Sequence, residues 1–203
     1  MKWAIIVLMA LGFGGCATKK VPATHYYTID TGTPDLQELV LQTPRFDALK
    51  IVMVHPTRLT NSSNIFYLDV NHRQQPYSYS RWYEPVNTLL ENKLLLALKK
   101  ANVAHTVLGS VSGSMADYRL EITVLEFIQD FTQGKPSKAR VSLMATLLDN
   151  RSRDILATKL FETEIPAPSD NAEGGVAAFN EISDTIVREI IRWIESPETV
   201  SQR

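Results

Sequence analysis

The chain has 203 residues, with 21 Lys+Arg against 22 Asp+Glu and 44% hydrophobic residues, for a formal net charge of −1. That length fits one domain with a real core and no need of staples. The balanced charge speaks against a nucleic-acid binder, which would carry a basic excess, and the chain has no acidic tail to collect cations.

Met1-Lys2 is followed by an apolar segment from Trp3 to Leu11 and then by Gly12-Phe13-Gly14-Gly15-Cys16. A positive start, a greasy middle and small residues before a cut are the parts of a secretory leader. Cys16 is the single cysteine, so no disulfide can form within the chain. At the end of that leader it reads as the lipid-attachment site of a bacterial lipoprotein. Cleavage between Gly15 and Cys16 would remove residues 1–15 and leave an N-terminal cysteine carrying acyl chains. Phe13 departs from the aliphatic residue usual three places before such a cysteine. A spanning helix needs about 20 apolar residues, and the run from Trp3 to Ala17 is shorter, closed by Thr18-Lys19-Lys20. Residues 16–24 read as a lipidated tether, without period and with Pro22 blocking regular structure. Its eight residues after Cys16 reach at most about 30 Å. The chain is similar here to Gram-negative lipoproteins, in which an Asp after the cysteine favours retention at the inner membrane. Ala17 instead favours the periplasmic face of the outer membrane.

The domain is expected over residues 25–196, with a tail at 197–203. His25 to Asp30 reads as a first strand, and Thr31 to Pro44 as a loop. The apolar run Leu49 to Val54 suits a central strand buried on both faces. Ile65 to Val70 and Pro76 to Ser80 follow as strands around a turn at Asn71 to Gln75. A helix is predicted from Pro85 to Ala101, because proline is tolerated in a first turn and Val86, Leu90, Leu94, Ala97 and Ala101 recur on one face. Asn102 is the expected stop, and Val103 to Leu108 a short strand. Tyr118, Leu120, Ile122 and Val124 alternate with polar residues. The phase then slips, so that Leu125 and Phe127 become the apolar positions, which predicts a bulge near Val124-Leu125. Val141, Leu143, Ala145 and Leu147 continue the alternation, and Ile155 to Glu164 closes a three-stranded antiparallel meander with Phe161 in the core. Pro166 to Gly175 reads as a linker. Val176, Phe179, Ile182, Ile186, Ile190 and Trp193 give a helical stripe over about 175–196. The fold class is therefore α+β: one domain, a mixed and mostly antiparallel sheet, and two main helices packed on it.

The sequence shows no catalytic residue and no metal site. Gly109-Ser110-Val111-Ser112-Gly113 places Val111 where a nucleophile elbow needs serine. His25, His55, His72 and His105 lie far apart, and none pairs with another at helical spacing. Gly134-Lys135 lacks the rest of a phosphate loop. Glu121, Glu126, Glu162 and Glu164 fall on the wet positions of alternating strands. Tyr77, Tyr79, Trp82 and Tyr83 crowd around Arg81. Such rings either pack into the core or, when exposed, serve as contact anchors, and the pattern leaves both readings open.

The order of segments resembles the ABC-type transport auxiliary lipoprotein family, which includes the paraquat-inducible lipoprotein C group. The residues that carry the likeness are Gly15-Cys16, His25 to Asp30, Val54-His55-Pro56 and Arg81-Trp82-Tyr83-Glu84-Pro85-Val86. Further on they are Tyr118 to Ile122 with Glu126-Phe127, and Gly175 to Asn180. The resemblance implies a non-enzymatic protein with no cofactor beyond the acyl chains on Cys16. It implies work beside an MCE-type system that moves lipids or other hydrophobic molecules between the two membranes. The lipoprotein would dock the periplasmic MCE-domain protein at the outer membrane, and a homo-oligomeric ring matching the MCE ring is the expectation by analogy. An envelope-assembly lipoprotein acting as chaperone or plug is the alternative, followed by a periplasmic hydrolase.

Overall fold

The computed structural model describes residues 22–32, 34–54 and 56–196. Gly15, Cys16, the rest of the leader, His55 and the tail from 197 lie outside the described residues. In chain order the strands are β1 (His25–Tyr27), β2 (Phe46–Met53), β3 (Asn64–Leu68), β4 (Gln74–Trp82), β5 (Ala104–Leu108), β6 (Tyr118–Asp130), β7 (Lys138–Asp149) and β8 (Ile155–Pro166). Helix α1 (Val86–Lys100) joins β4 to β5, and helix α2 (Ala172–Glu195) follows β8. The eight strands form one open mixed sheet with two helices, the α+β class that the patterning predicts.

Strand β6 organises that sheet. One edge carries β7 antiparallel along its length, and β7 carries β8, so the expected meander forms. The other edge is divided. Residues 118–122 pair in parallel with β2, while Gln129 and Asp130 pair in parallel with β3. The register shifts between Val124 and Glu126, in the gap between those two partners. This is the bulge that the phase slip predicts, but of the two apolar positions expected after it only Phe127 is buried; Leu125, the residue left unpaired at the bulge, is 52% exposed. A bulge bends its strand, and here it separates two wings: β2 with β5, and β3 with β4 and β1.

The helices cover one face. Leu120, Ile122 and Val124 of β6 and Val141, Leu143, Ala145 and Leu147 of β7 are buried there, with α2 packed over β7 and β8. Trp82, Phe127 and Phe179 make an aromatic knot, with Phe127 stacked on Phe179 at 4.4 Å and Trp82 at 5.9 Å from each. Phe161, the core residue expected of β8, meets Trp193 edge-on at 5.8 Å.

Several boundaries differ from expectation. Strand β2 begins at Phe46, and its residues Lys50 and Val52 are only half-buried, because helices cover a single face. Strand β4 runs on to Trp82 because β1 pairs with its last residues. The loop from 31 to 44 contains a short 3-10 turn at Gln37–Leu39 whose Leu39 is buried. Helix α2 begins at Ala172 rather than Gly175. Asn171 caps it by accepting from the Gly174 N–H at 2.9 Å, and the glycine pair that suggests a linker is helical. A Cβ at Gly174 would lie 2.2 Å from the Ser169 carbonyl oxygen, and one at Gly175 2.3 Å from Gln129 Oε1. Asn102 does stop α1, in a left-handed conformation at φ 56°.

Candidate interaction surface

The wing that carries β1 and β4 divides the four aromatic candidates. Trp82 is a core residue, 1% exposed, and so is not a contact anchor. The end of β4 turns its indole toward the helices, where Phe127 and Phe179 enclose it. Tyr77 is half-buried and donates its hydroxyl to Gln129 Oε1 at 2.8 Å. The wholly buried Gln129 in turn donates to Ser137 Oγ at 2.8 Å. Burial pushes the Tyr77 phenol above its ordinary pKa, which keeps it a donor. Tyr79 and Tyr83 remain at the surface, 45% and 74% exposed.

A third exposed ring joins them. In β1, Tyr26 sits opposite Arg81 and Tyr27 opposite Trp82. Opposed residues share a sheet face, so Tyr27 turns inward with Trp82 while Tyr26, 66% exposed, shares the outer face with Arg81. Tyr83 follows directly, its N–H donating to the Tyr27 carbonyl at 2.7 Å. The signal for Tyr26 was present as His25-Tyr26-Tyr27, in which alternation must send one ring outward, but only the pairing says which.

The segment after β1 is clamped between the helices. Asn180 Oδ1 accepts from the Asp30 N–H at 2.6 Å, and Asn180 Nδ2 donates to the Thr28 carbonyl at 3.3 Å. Lys93 of α1 is 1% exposed. Its ammonium donates to the Asp30 carbonyl at 2.6 Å and the Gly32 carbonyl at 3.2 Å, and pairs with Asp184 of α2 at 2.6 Å. Sequence reasoning missed Lys93. Its spacing from Leu90 and Ala97 places a charge inside the apolar stripe, and that was the available sign.

The wet-face carboxylates are paired. Arg119 meets Glu121 at 2.8 Å, Lys138 meets Glu164 at 2.6 Å, and Ser142 Oγ donates to Glu162 at 3.3 Å. Arg140 bridges Glu126 at 2.8 Å and Asp130 at 2.6 Å. Burial alone would raise Asp130; the Thr132 N–H and Arg140 outweigh it and hold the carboxyl below its usual range. His25, His72 and His105 are exposed on β1, the β3–β4 turn and β5. Among the described residues no group of three or more His, Cys, Asp or Glu is placed to hold a metal ion. No described helix is long and apolar enough to cross a membrane.

The sequence matches the family described as an ABC-type transport auxiliary lipoprotein component over residues 27–191, most of its length. The chain belongs to that family. A crystal structure of a Xanthomonas campestris protein of the DUF330 family superposes with a TM-score of 0.69 and 21% identity, over 84% of this chain and 94% of that one. A PelC dodecamer from Paraburkholderia phytofirmans superposes at 0.51 with 10% identity, over 76% of this chain and 92% of that one. Those likenesses concern the fold of this auxiliary lipoprotein. An uncharacterized protein of Bradyrhizobium diazoefficiens is 26% identical over 112 residues, which are 55% of this chain and 30% of the relative's length.

Proposed function

We propose that this auxiliary lipoprotein is anchored through acylated Cys16 at the periplasmic face of the outer membrane. There it docks the periplasmic MCE-domain protein of an ABC-type system that moves lipids or other hydrophobic molecules between the membranes. The family match across residues 27–191 carries the reading. The geometry is in keeping with a docking role. The Glu121, Glu126, Glu162 and Glu164 carboxylates are committed to ion pairs and hydrogen bonds with Arg119, Lys138, Arg140 and Ser142, while Leu125 of β6, Met144 of β7 and Leu160 of β8 leave exposed apolar surface on the sheet itself and further apolar side chains stand on loops. Val111 and Met115, 98% and 87% exposed, project from the β5–β6 loop. The base of that loop is pinned where Ser110 donates to Glu91 and Lys50 donates to the Ser112 carbonyl at 2.7 Å. Self-association into a ring belongs to the same proposal, supported by the dodecameric state of the PelC structure.

The test is affinity purification of the tagged full chain from solubilised envelopes, with partners identified by mass spectrometry. Recovery of an MCE-domain protein together with its ATPase and permease is the expected result. Recovery of abundant porins alone, with the MCE protein present in the envelope but absent from the eluate, contradicts the reading.

A further inference from the structure

We propose that Tyr26, Tyr79 and Tyr83 form a membrane-contact patch that lies in the phospholipid headgroup layer beside the anchor. The inference rests on Cys16 as the point of attachment and says which side of the domain meets the bilayer.

Three exposed tyrosines stand on β1 and around the end of β4, at one edge of the sheet. Tyr26 faces outward opposite Arg81, and Tyr79 and Tyr83 stand two residues to either side of Arg81 in the sequence. Tyr79 is on β4 and Tyr83 just past its end at Trp82; two residues of chain span at most about 7 Å, so the backbone positions of the trio lie within the width of a few lipid headgroups. None of the three hydroxyls has a hydrogen-bond partner among the described residues, in contrast to Tyr77, which is spent on Gln129. Arg81, half-buried, folds its Nη1 onto the Ser80 carbonyl at 2.9 Å and onto the Tyr77 carbonyl. That holds the guanidinium against the β4 backbone, close in sequence to Tyr79 and Tyr83. Tyrosine is suited to a bilayer surface because its ring takes the apolar side and its hydroxyl the wet side.

The chain itself argues for a lipid occupant rather than a protein. Tyr26 follows Cys16 by ten residues, a span that reaches no more than about 36 Å at full stretch. Lys19 and Lys20 lie within that span, and basic residues near anionic lipid are each attracted by about 1 kcal/mol. The Asn180 and Lys93 clamps hold the segment just after β1 to both helices. The tether therefore joins the domain at a fixed place, His25 opposite Ser80 of β4, with Tyr26 and Tyr79 the adjoining residues on their strands and Tyr83 at the far end of β1.

The assay uses the chain from Cys16 to Arg203, which keeps every described residue. Its single thiol is coupled to a maleimide-bearing phospholipid in vesicles of phosphatidylethanolamine and phosphatidylglycerol. Attachment then does not depend on natural acylation, so a failure of the lipoprotein reading and a failure of this patch are separate results. Tyrosines are nitrated with tetranitromethane and mapped by mass spectrometry, against the same chain capped at Cys16 and free in solution. Tyr26, Tyr79 and Tyr83 should lose most of their reactivity on vesicles, while half-buried Tyr67 and Tyr118 keep theirs. A Tyr79→Ser/Tyr83→Ser chain, coupled in the same way, should expose Tyr26 to nitration again. Equal reactivity of the trio on vesicles and in solution overturns the proposal. So does protection that arises only when an MCE-domain protein is added, which would make the patch a protein interface.

Discussion

Lys93→Met removes the ammonium that joins both helices to the segment after β1 while keeping the stem's bulk. The buried cation serves the Asp30 and Gly32 carbonyls and the Asp184 carboxylate. Each buried acceptor left without a partner costs about 1–3 kcal/mol, and breaking a buried ion pair about 3–5 kcal/mol. Asp184 is about one-third exposed and can hydrate, and both carbonyls belong to exposed residues, so the lower end applies. The expected loss is about 3 kcal/mol. For a domain of this size each kcal/mol lowers Tm by about 2–4 °C, which gives a fall of about 6–12 °C. Urea titration followed by tryptophan fluorescence measures the loss. Hydrogen exchange locates it, because the Asp30 amide, bonded to Asn180, should exchange much faster in the variant. Asp184→Asn alone should cost less than about 1 kcal/mol, since its partner keeps both carbonyls and the site is part-solvated. If Lys93→Met stays within about 0.5 kcal/mol of the parent, the range of a neutral surface change, the clamp is not what holds the segment.

Gly174→Ala and Gly175→Ala would each gain about 1 kcal/mol in helix propensity if the site were open. With Cβ positions 2.2 Å from the Ser169 carbonyl and 2.3 Å from Gln129 Oε1, both should instead destabilise, by about 1–3 kcal/mol, as read from urea midpoints. Trp82→Ala should cost about 3–5 kcal/mol as a core truncation, whereas Tyr83→Ser should stay within about 0.5 kcal/mol; comparable losses from both would contradict the division of the aromatics between core and surface. The depressed carboxyls of Asp130 and Asp170 set an acid limb. A folded value below the unfolded one gives stability that is present above about pH 4 and lost as pH falls through the folded value. Asp130→Asn should therefore lower stability at neutral pH and flatten the loss below pH 4, measured by Tm against pH.

The periodic elements were legible because their burial is one-sided. The stripe of α2 and the alternation on β6 and β7 each have one covered face, and the bulge showed as a change of phase at Leu125. Pairing partners were not legible. That β2 lies in parallel with both β5 and β6, or that β1 joins β4, depends on crossovers that no local pattern encodes. The start of α2 was hidden because glycine argues against helix, while the Ser169 and Gln129 contacts that demand glycine are distant in the fold. Trp82 and Tyr83 looked alike as neighbours, and only the register of β1 sent one inward and left the other at the surface. Lys93 stood in an apolar stripe, yet its acceptors come from a loop and a second helix.

The most direct measurement is the mass of the N-terminal peptide of the envelope-purified protein, with palmitate labelling of the parent and of Cys16→Ser. A peptide that begins at Cys16, heavier by its acyl chains, with the label and membrane fractionation lost in Cys16→Ser, is the predicted result. An unmodified Cys16 in a chain that still fractionates with the membrane would contradict the account.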